Sequence, residues 1–149
     1  MHLYRITKST YALDLQGTGG IYGPGRWHRE GTRLLYLAEH VSLAKLEVLA
    51  NSRRIPTNQS LVTVEIPDNA SITIVHSEEL PEGWDKIPYM EELADIAARW
   101  ISEQAFWIMR VPSAHSPMEF NYLLNPLHPE HKTLKLISVG PHSFDQRLK

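Results

Sequence analysis

Arg26, Tyr36 and Glu47 lie close together in sequence, and their side chains together suit chemistry on a nucleotide. Arg26 sits in the run Gly-Pro-Gly-Arg-Trp-His-Arg-Glu-Gly from residue 23. A guanidinium offers paired donors that match phosphate oxygens. Glycines at 23 and 25 would let backbone approach a ligand closely. The competing role is a loop arginine in a surface ion pair, because charged side chains usually stay in solvent. Tyr36 closes a short apolar run. Its ring suits stacking on a planar heterocycle, and equally suits the core with a locally bonded hydroxyl. Glu47 shares an i, i+3, i+4, i+7 stripe with Leu43, Leu46 and Ala50, while Lys45 and Asn51 point elsewhere. An ionised carboxylate on such a stripe needs partners or a raised pKa. It either pairs with a structural arginine or lines a cleft, and buried carboxylates are enriched in active sites.

Two other clusters are weaker. Val111-Pro-Ser-Ala-His-Ser-Pro117 places Ser113, His115 and Ser116 after an apolar strand. No Gly-x-Ser-x-Gly elbow accompanies them, so a serine-stabilised turn is the better reading than a nucleophile. His128-Pro-Glu-His131 lies in a proline-rich loop and lacks the one-face helical spacing of a zincin, which favours surface histidines. Neither a Walker A loop nor a Gly-x-Gly-x-x-Gly turn is present, so a nucleotide site here is neither P-loop nor Rossmann.

These groups need a scaffold. Leu3–Thr7 alternates and predicts a first strand with Arg5 on its polar face. The glycine-rich segment 16–33 reads as loop around a cleft. Leu34–Leu37 predicts a buried strand. Ser42 predicts the N-cap of a helix from Leu43 to about Asn51. Ser60–Ile66 alternates, with Val62, Val64 and Ile66 on one face. Ser71–Val75 is a second β-branched run. Pro67-Asp68-Asn69 between them suggests that these two strands pair. Pro88 predicts the first position of a helix through Gln104, with Met90, Leu93, Ala97, Trp100 and Ile101 inward. Ala105–Val111 predicts a buried strand ended by Pro112, Ser113–His131 a looped segment, and Leu134–Val139 a last strand. Strands outnumber helices, which gives an α+β class.

The chain has 149 residues, enough for one domain with a real core. Its formal net charge of −2 supplies no basic field for nucleic acid or membrane surfaces. The absence of cysteine excludes disulfides and a thiolate nucleophile, and fits a reducing compartment. The first residues lack a signal-peptide run, and no stretch has the length of a membrane span, so a soluble cytoplasmic protein is expected.

The ordered set Gly-Arg-Trp (25–27), Leu-Tyr (35–36), Leu-Ala-Lys-Leu-Glu (43–47), Val-Pro-Ser-Ala (111–114), Asn-Tyr-Leu-Leu-Asn-Pro (121–126) and Phe-Asp-Gln-Arg-Leu (144–148) resembles the RES-domain family. That family is the toxin half of RES–Xre toxin–antitoxin pairs. It usually has asparagine where this chain has His28, and often Gly-Gly where this chain has Pro24-Gly25. The resemblance implies a single domain over 1–149 with an ADP-ribosyltransferase-like split β-sheet core and a few short helices, clasping NAD as substrate. It implies NAD cleavage at the nicotinamide–ribose bond, with water or inorganic phosphate as acceptor. Mono-ADP-ribosylation of a cellular protein is the alternative, and an inactive partner-binding module, hinted at by His28, is a further one. Carried over residue by residue, Glu47 is the catalytic carboxylate and Tyr36 packs the nicotinamide. Arg5 and Arg26 hold the phosphates and ribose, and Ser113 and Asn121 complete the pocket. No metal is implied, nor direct nucleic-acid or membrane binding. An Xre-family antitoxin in a hetero-oligomer is the implied partner.

Overall fold

Alternating sequences build the middle of the sheet. In the computed structural model, which describes residues 1–149, β1 (His2–Lys8) pairs along its whole length with β3 (Gln59–Glu65). Val62 and Val64 of β3 are fully buried on one face, and Ile66 follows them. The remaining strands are β2 (Leu35–Ala38), β4 (Ile72–Ile74), β5 (Ile108–Pro112), β6 (Phe120–Leu124) and β7 (Lys135–His142). They join one mixed sheet in the order β4-β5-β6-β2-β1-β3-β7, in which only β4 and β5 run parallel. Three helices complete the α+β fold: α1 (Gly19–Tyr22), α2 (Val41–Ala50) and α3 (Glu91–Glu103). None is long and apolar enough to cross a membrane.

One seam in the sheet is incomplete. β1 and β2 meet at a single residue pair, Tyr4 opposite Ala38, and separate beyond it. The sheet is therefore split into β7-β3-β1 and β2-β6-β5-β4 halves, as the family resemblance implies. Both sheet faces are covered. Leu3, Leu35, Leu37, Ile108 and Leu124 pack together on one side. On the other, α2 packs Leu43 and Ala44 against Ile6 and Ala38, and α3 packs Leu93, Ala97 and Trp100 against Met109, Val111 and Leu123.

Several expectations fail for identifiable reasons. Residues 113–131 are not all loop, because β6 lies within them and forms the centre of its half-sheet. The flanking Pro117 and Pro126 bound the strand rather than preclude it. β4 does not pair with β3. Glu130 accepts from the Ser71 N–H and hydroxyl, and Val75 N–H donates to Arg110 O, which ties this run to β5 at the far edge. α2 starts at Val41 with His40 as its N-cap, and Ser42 lies exposed inside the first turn. Docking against the sheet fixes that start, with no side-chain cap. Its stripe is also rotated: Leu46 is 41% exposed and Ala50 is exposed, whereas Ala44 is buried. α3 begins at Glu91, so Pro88 precedes it by three residues, and Glu91 and Glu92 favour the positive end of the helix dipole. β5 begins at Ile108 rather than Ala105. The loop around the cleft contains one helical turn, α1. Arg5 has no polar face to itself, since it shares its side of β1 with buried Leu3.

His128 and His131 are not surface residues; they are 8% and 7% exposed. His131 Nε2–H donates to Leu15 O at 2.8 Å and Nδ1 accepts from Trp107 Nε1–H at 3.1 Å. Burial lowers the His131 ring pKa, and burial together with Lys45 lowers that of His142. Below about pH 6.5 the unfolded chain takes up protons that these folded rings resist. Their contribution is therefore complete above that pH and is lost as pH falls through the folded values. Urea midpoints should hold steady above about pH 7 and decline below about 6.5. Midpoints unchanged down to about pH 5 would contradict this.

Candidate active site

Strand alternation places the site on the helix-bearing side of the sheet. Tyr36 and Ala38 on β2, Asn121 and Leu123 on β6, and Val111 followed by Ser113 beyond β5 all point to that side. Asn121 is paired with Ala38 and Val111 as its lateral neighbours. Those side chains are short enough for α2 to bring Glu47 down beside the asparagine. Glu47 Oε1 accepts from Asn121 Nδ2 at 2.7 Å and from Ser113 Oγ at 2.8 Å. Oε2 lies 3.4 Å from His115 Nε2. No arginine pairs with this carboxylate, so the structural ion pair considered from sequence is not formed. Two neutral donors orient it and leave its charge uncancelled.

Ser113 is fully buried behind Glu47 and does not face the cleft, and neither does Ser116. The Ser113 hydroxyl also accepts from the backbone N–H groups of His115 and Ser116. It thus fixes the turn and the carboxylate together. Ala44, Glu47, Val48 and Ala50 of α2 line the cleft, as does Asn51 just beyond the helix end, so only Glu47 and Ala50 of the stripe read in the sequence do so. Asn51 therefore faces the cleft after all.

Arg26 makes no ion pair. Its Nη1 donates to Trp84 O at 2.8 Å and Lys86 O at 3.0 Å, and its guanidinium lies 4.8 Å from the Tyr89 ring centroid. Nε and Nη2 have no protein acceptor, which leaves donors for an anionic ligand. Arg5 Nη1 donates to Asp14 O at 2.6 Å. Burial lowers the Arg5 pKa, and Asp14 partly offsets it.

Tyr36 is held by its hydroxyl. His28 Nε2–H donates to Gly23 O at 2.9 Å, so the neutral ring accepts the Tyr36 O–H at Nδ1, 2.7 Å away. The Tyr36 oxygen in turn accepts from Trp27 N–H at 3.2 Å. Burial keeps both groups neutral: it lowers the His28 pKa, against the Gly23 bond, and drives the Tyr36 phenol far above its usual value. Gly25 is required by this packing, since a Cβ there would stand 2.7 Å from His28 Cε1 and 3.0 Å from the Tyr36 hydroxyl. Gly23 is in open space with extended backbone, so it provides no close approach.

Arg5, Arg26, Tyr36, Glu47 and Asn121 all line one cleft of about 530 Å³, which opens where β1 and β2 diverge. The gap exposes both sides of β1, so Arg5 enters it alongside Tyr4 and Ile6. Arg26 and Glu47 thus share one hollow with Tyr36. The volume falls in the range of small-molecule sites.

The RES-domain signature matches residues 2–145. The chain belongs to the RES-domain family. This RES domain is 37% identical over 152 residues to a protein named Toxin Res from Pseudomonas putida, with 99% of each chain covered. It is 36% identical over 141 residues to one named Prs ADP-ribosylating toxin from Sphingobium, covering 92% of this chain and 88% of that one. Its fold is similar to that in the crystal structure of the M. tuberculosis MbcT–MbcA toxin–antitoxin complex, with a TM-score of 0.72, 16% identity, and 95% and 84% of the two chains covered.

Within this RES domain, sequence reasoning missed the part played by His115 beside Glu47. The Ser-Ala-His-Ser run was visible, but the carboxylate partner is 68 residues earlier in the chain (115 − 47) and only the fold brings it near. His28, the departure from the family's usual asparagine, braces Tyr36 and the arginine loop. Tyr36→Phe keeps the ring but removes the partner of both Trp27 N–H and His28 Nδ1. It should cost about 1–3 kcal/mol in denaturant unfolding. A loss under about 0.5 kcal/mol would show that the bridge contributes little.

Proposed function

We propose that the cleft binds NAD and that this RES domain is the toxin of a toxin–antitoxin pair that depletes the cell's NAD. It splits the nicotinamide–ribose bond, with water or inorganic phosphate as acceptor. The observation that carries this reading is the state of Glu47: a carboxylate oriented by two neutral donors, unpaired by arginine, in the same hollow as Arg5, Arg26 and Tyr36.

Nicotinamide leaves as a neutral pyridine, taking the C–N electron pair, so no strong acid is needed. The ribose carbon becomes oxocarbenium-like, and the negative charge of Glu47 stabilises it. Arg26 and Arg5 hold the pyrophosphate and ribose, which fixes the reacting carbon over the carboxylate. Tyr36 packs the nicotinamide. Ser113 and Asn121 keep Glu47 from rotating away. Arg5, Arg26, Tyr36, Glu47 and Asn121 line the cleft, with Ser113 behind Glu47.

Incubation of purified protein with NAD, with and without phosphate, followed by mass spectrometry of the products, tests the reading and identifies the acceptor. ADP-ribose signals water, and a phosphorylated ADP-ribose signals phosphate. The name of the Sphingobium relative motivates a second reading, transfer of ADP-ribose to a protein. An ADP-ribose mass increment on one cellular protein, without bulk NAD loss, would favour that reading over the first.

A toxin of this kind requires restraint in its host. The MbcT–MbcA complex supports an antitoxin partner, and the family points to the Xre type, with part of the antitoxin covering the cleft in a hetero-oligomer. Expression of the chain alone should arrest growth, and co-expression of the antitoxin should restore it. Normal growth with folded, soluble protein present would count against a toxin role.

A further inference from the structure

We propose that His115 is the base that removes the proton from the acceptor water. This rests on the reading of the cleft as an NAD site. His115 lines the cleft, its side chain is 29% exposed, and its Nε2 is 3.4 Å from Glu47 Oε2. Its backbone N–H is held by the same Ser113 hydroxyl that donates to Glu47 Oε1. One serine therefore ties the carboxylate to the backbone that carries the imidazole.

Five other ionisable groups of the cleft, Arg5, Lys8, Arg26, Tyr36 and Glu47, are unsuited to the task. Arg5, Arg26 and Lys8 offer only donors. The Tyr36 hydroxyl already donates to His28. Glu47 serves best as an ion facing the ribose carbon. His115 has Nε2 beside Glu47 Oε2, and a neutral imidazole keeps one ring nitrogen with a lone pair that can take a proton.

The step balances. The nicotinamide–ribose C–N bond breaks and its electron pair goes to the pyridine nitrogen. The water oxygen bonds to the ribose carbon, and one water proton passes to that ring nitrogen of His115 and then to solvent. The products are ADP-ribose, nicotinamide and a proton. His115 and Glu47 line the same cleft 3.4 Å apart, so an acceptor water and the ribose carbon would share that end of it.

Azide separates this role from others, because it is an anion and attacks with no proton to lose. In His115→Gln, ADP-ribose formation should fall roughly ten- to a hundredfold, with the KM for NAD unchanged. Added azide should restore NAD loss in the variant and yield the azido-ADP-ribose adduct. Hydrolysis at the wild-type rate would overturn the proposal. So would loss of hydrolysis that azide does not restore, since His115 would then be acting on Glu47 or on NAD binding. A wild-type protein that consumes no NAD would instead remove the NAD reading itself.

Discussion

Glu47→Gln lowers nicotinamide release by about a hundred- to a thousandfold. The substitution is nearly isosteric. The retained amide oxygen can still accept from Ser113 Oγ and Asn121 Nδ2, the two donors now on Oε1. The variant thus keeps those two bonds and loses the negative charge, with an amide nitrogen replacing the oxygen beside His115 Nε2. A charge that acts on the oxocarbenium-like carbon matters in the transition state and little in the ground state. The drop should therefore appear in kcat, with KM for NAD little changed. Steady-state kinetics on the folded variant checks it, and a kcat equal to that of wild type would rule out this role for the carboxylate.

Arg26→Ala should lower kcat/KM for NAD by about a hundredfold, mostly through KM. A charge-assisted hydrogen bond contributes about 1.5–3 kcal/mol, and about 1.4 kcal/mol corresponds to tenfold. Arg26 also ties Trp84 O and Lys86 O to the loop, so alanine frees that wall of the cleft as well. Arg26→Lys separates the two effects. A lysine can keep a bond to a carbonyl but has no fork for a pyrophosphate. It should recover the thermal stability of wild type and only part of the affinity. If Arg26→Lys bound NAD as tightly as wild type, the guanidinium would not be the phosphate contact.

The sequence carried the parts of the site that are local. Arg26, Tyr36 and Glu47 stand out as candidates by residue type and spacing, and the fold brings all three to one cleft; the alternation of Leu3–Thr7 and Ser60–Ile66 shows two strands of one sheet half. What escaped was non-local. β6 is a short strand between prolines, and only its pairing with β2 and β5 makes it one. Asn121 could be read only by resemblance for the same reason. The α2 stripe differs from the expected one because helical periodicity does not distinguish a face against the core from a face toward a cleft: Ala44, Glu47, Val48 and Ala50 line the opening while Leu43 and Leu49 are buried. Ser113 was expected in the pocket and instead stands behind Glu47. Its position at the end of β5 was visible, but its depth depends on α2 lying across it. The buried pair His128 and His131 was misread because their partners, Gln104 O, Trp107 and Leu15 O, lie elsewhere in the chain.

The most direct test is to incubate the purified protein with millimolar NAD and measure nicotinamide and NAD together over time. One nicotinamide should be released for each NAD lost, at a rate that collapses in Glu47→Gln. Folded wild-type protein that releases no nicotinamide, with or without phosphate, would contradict it.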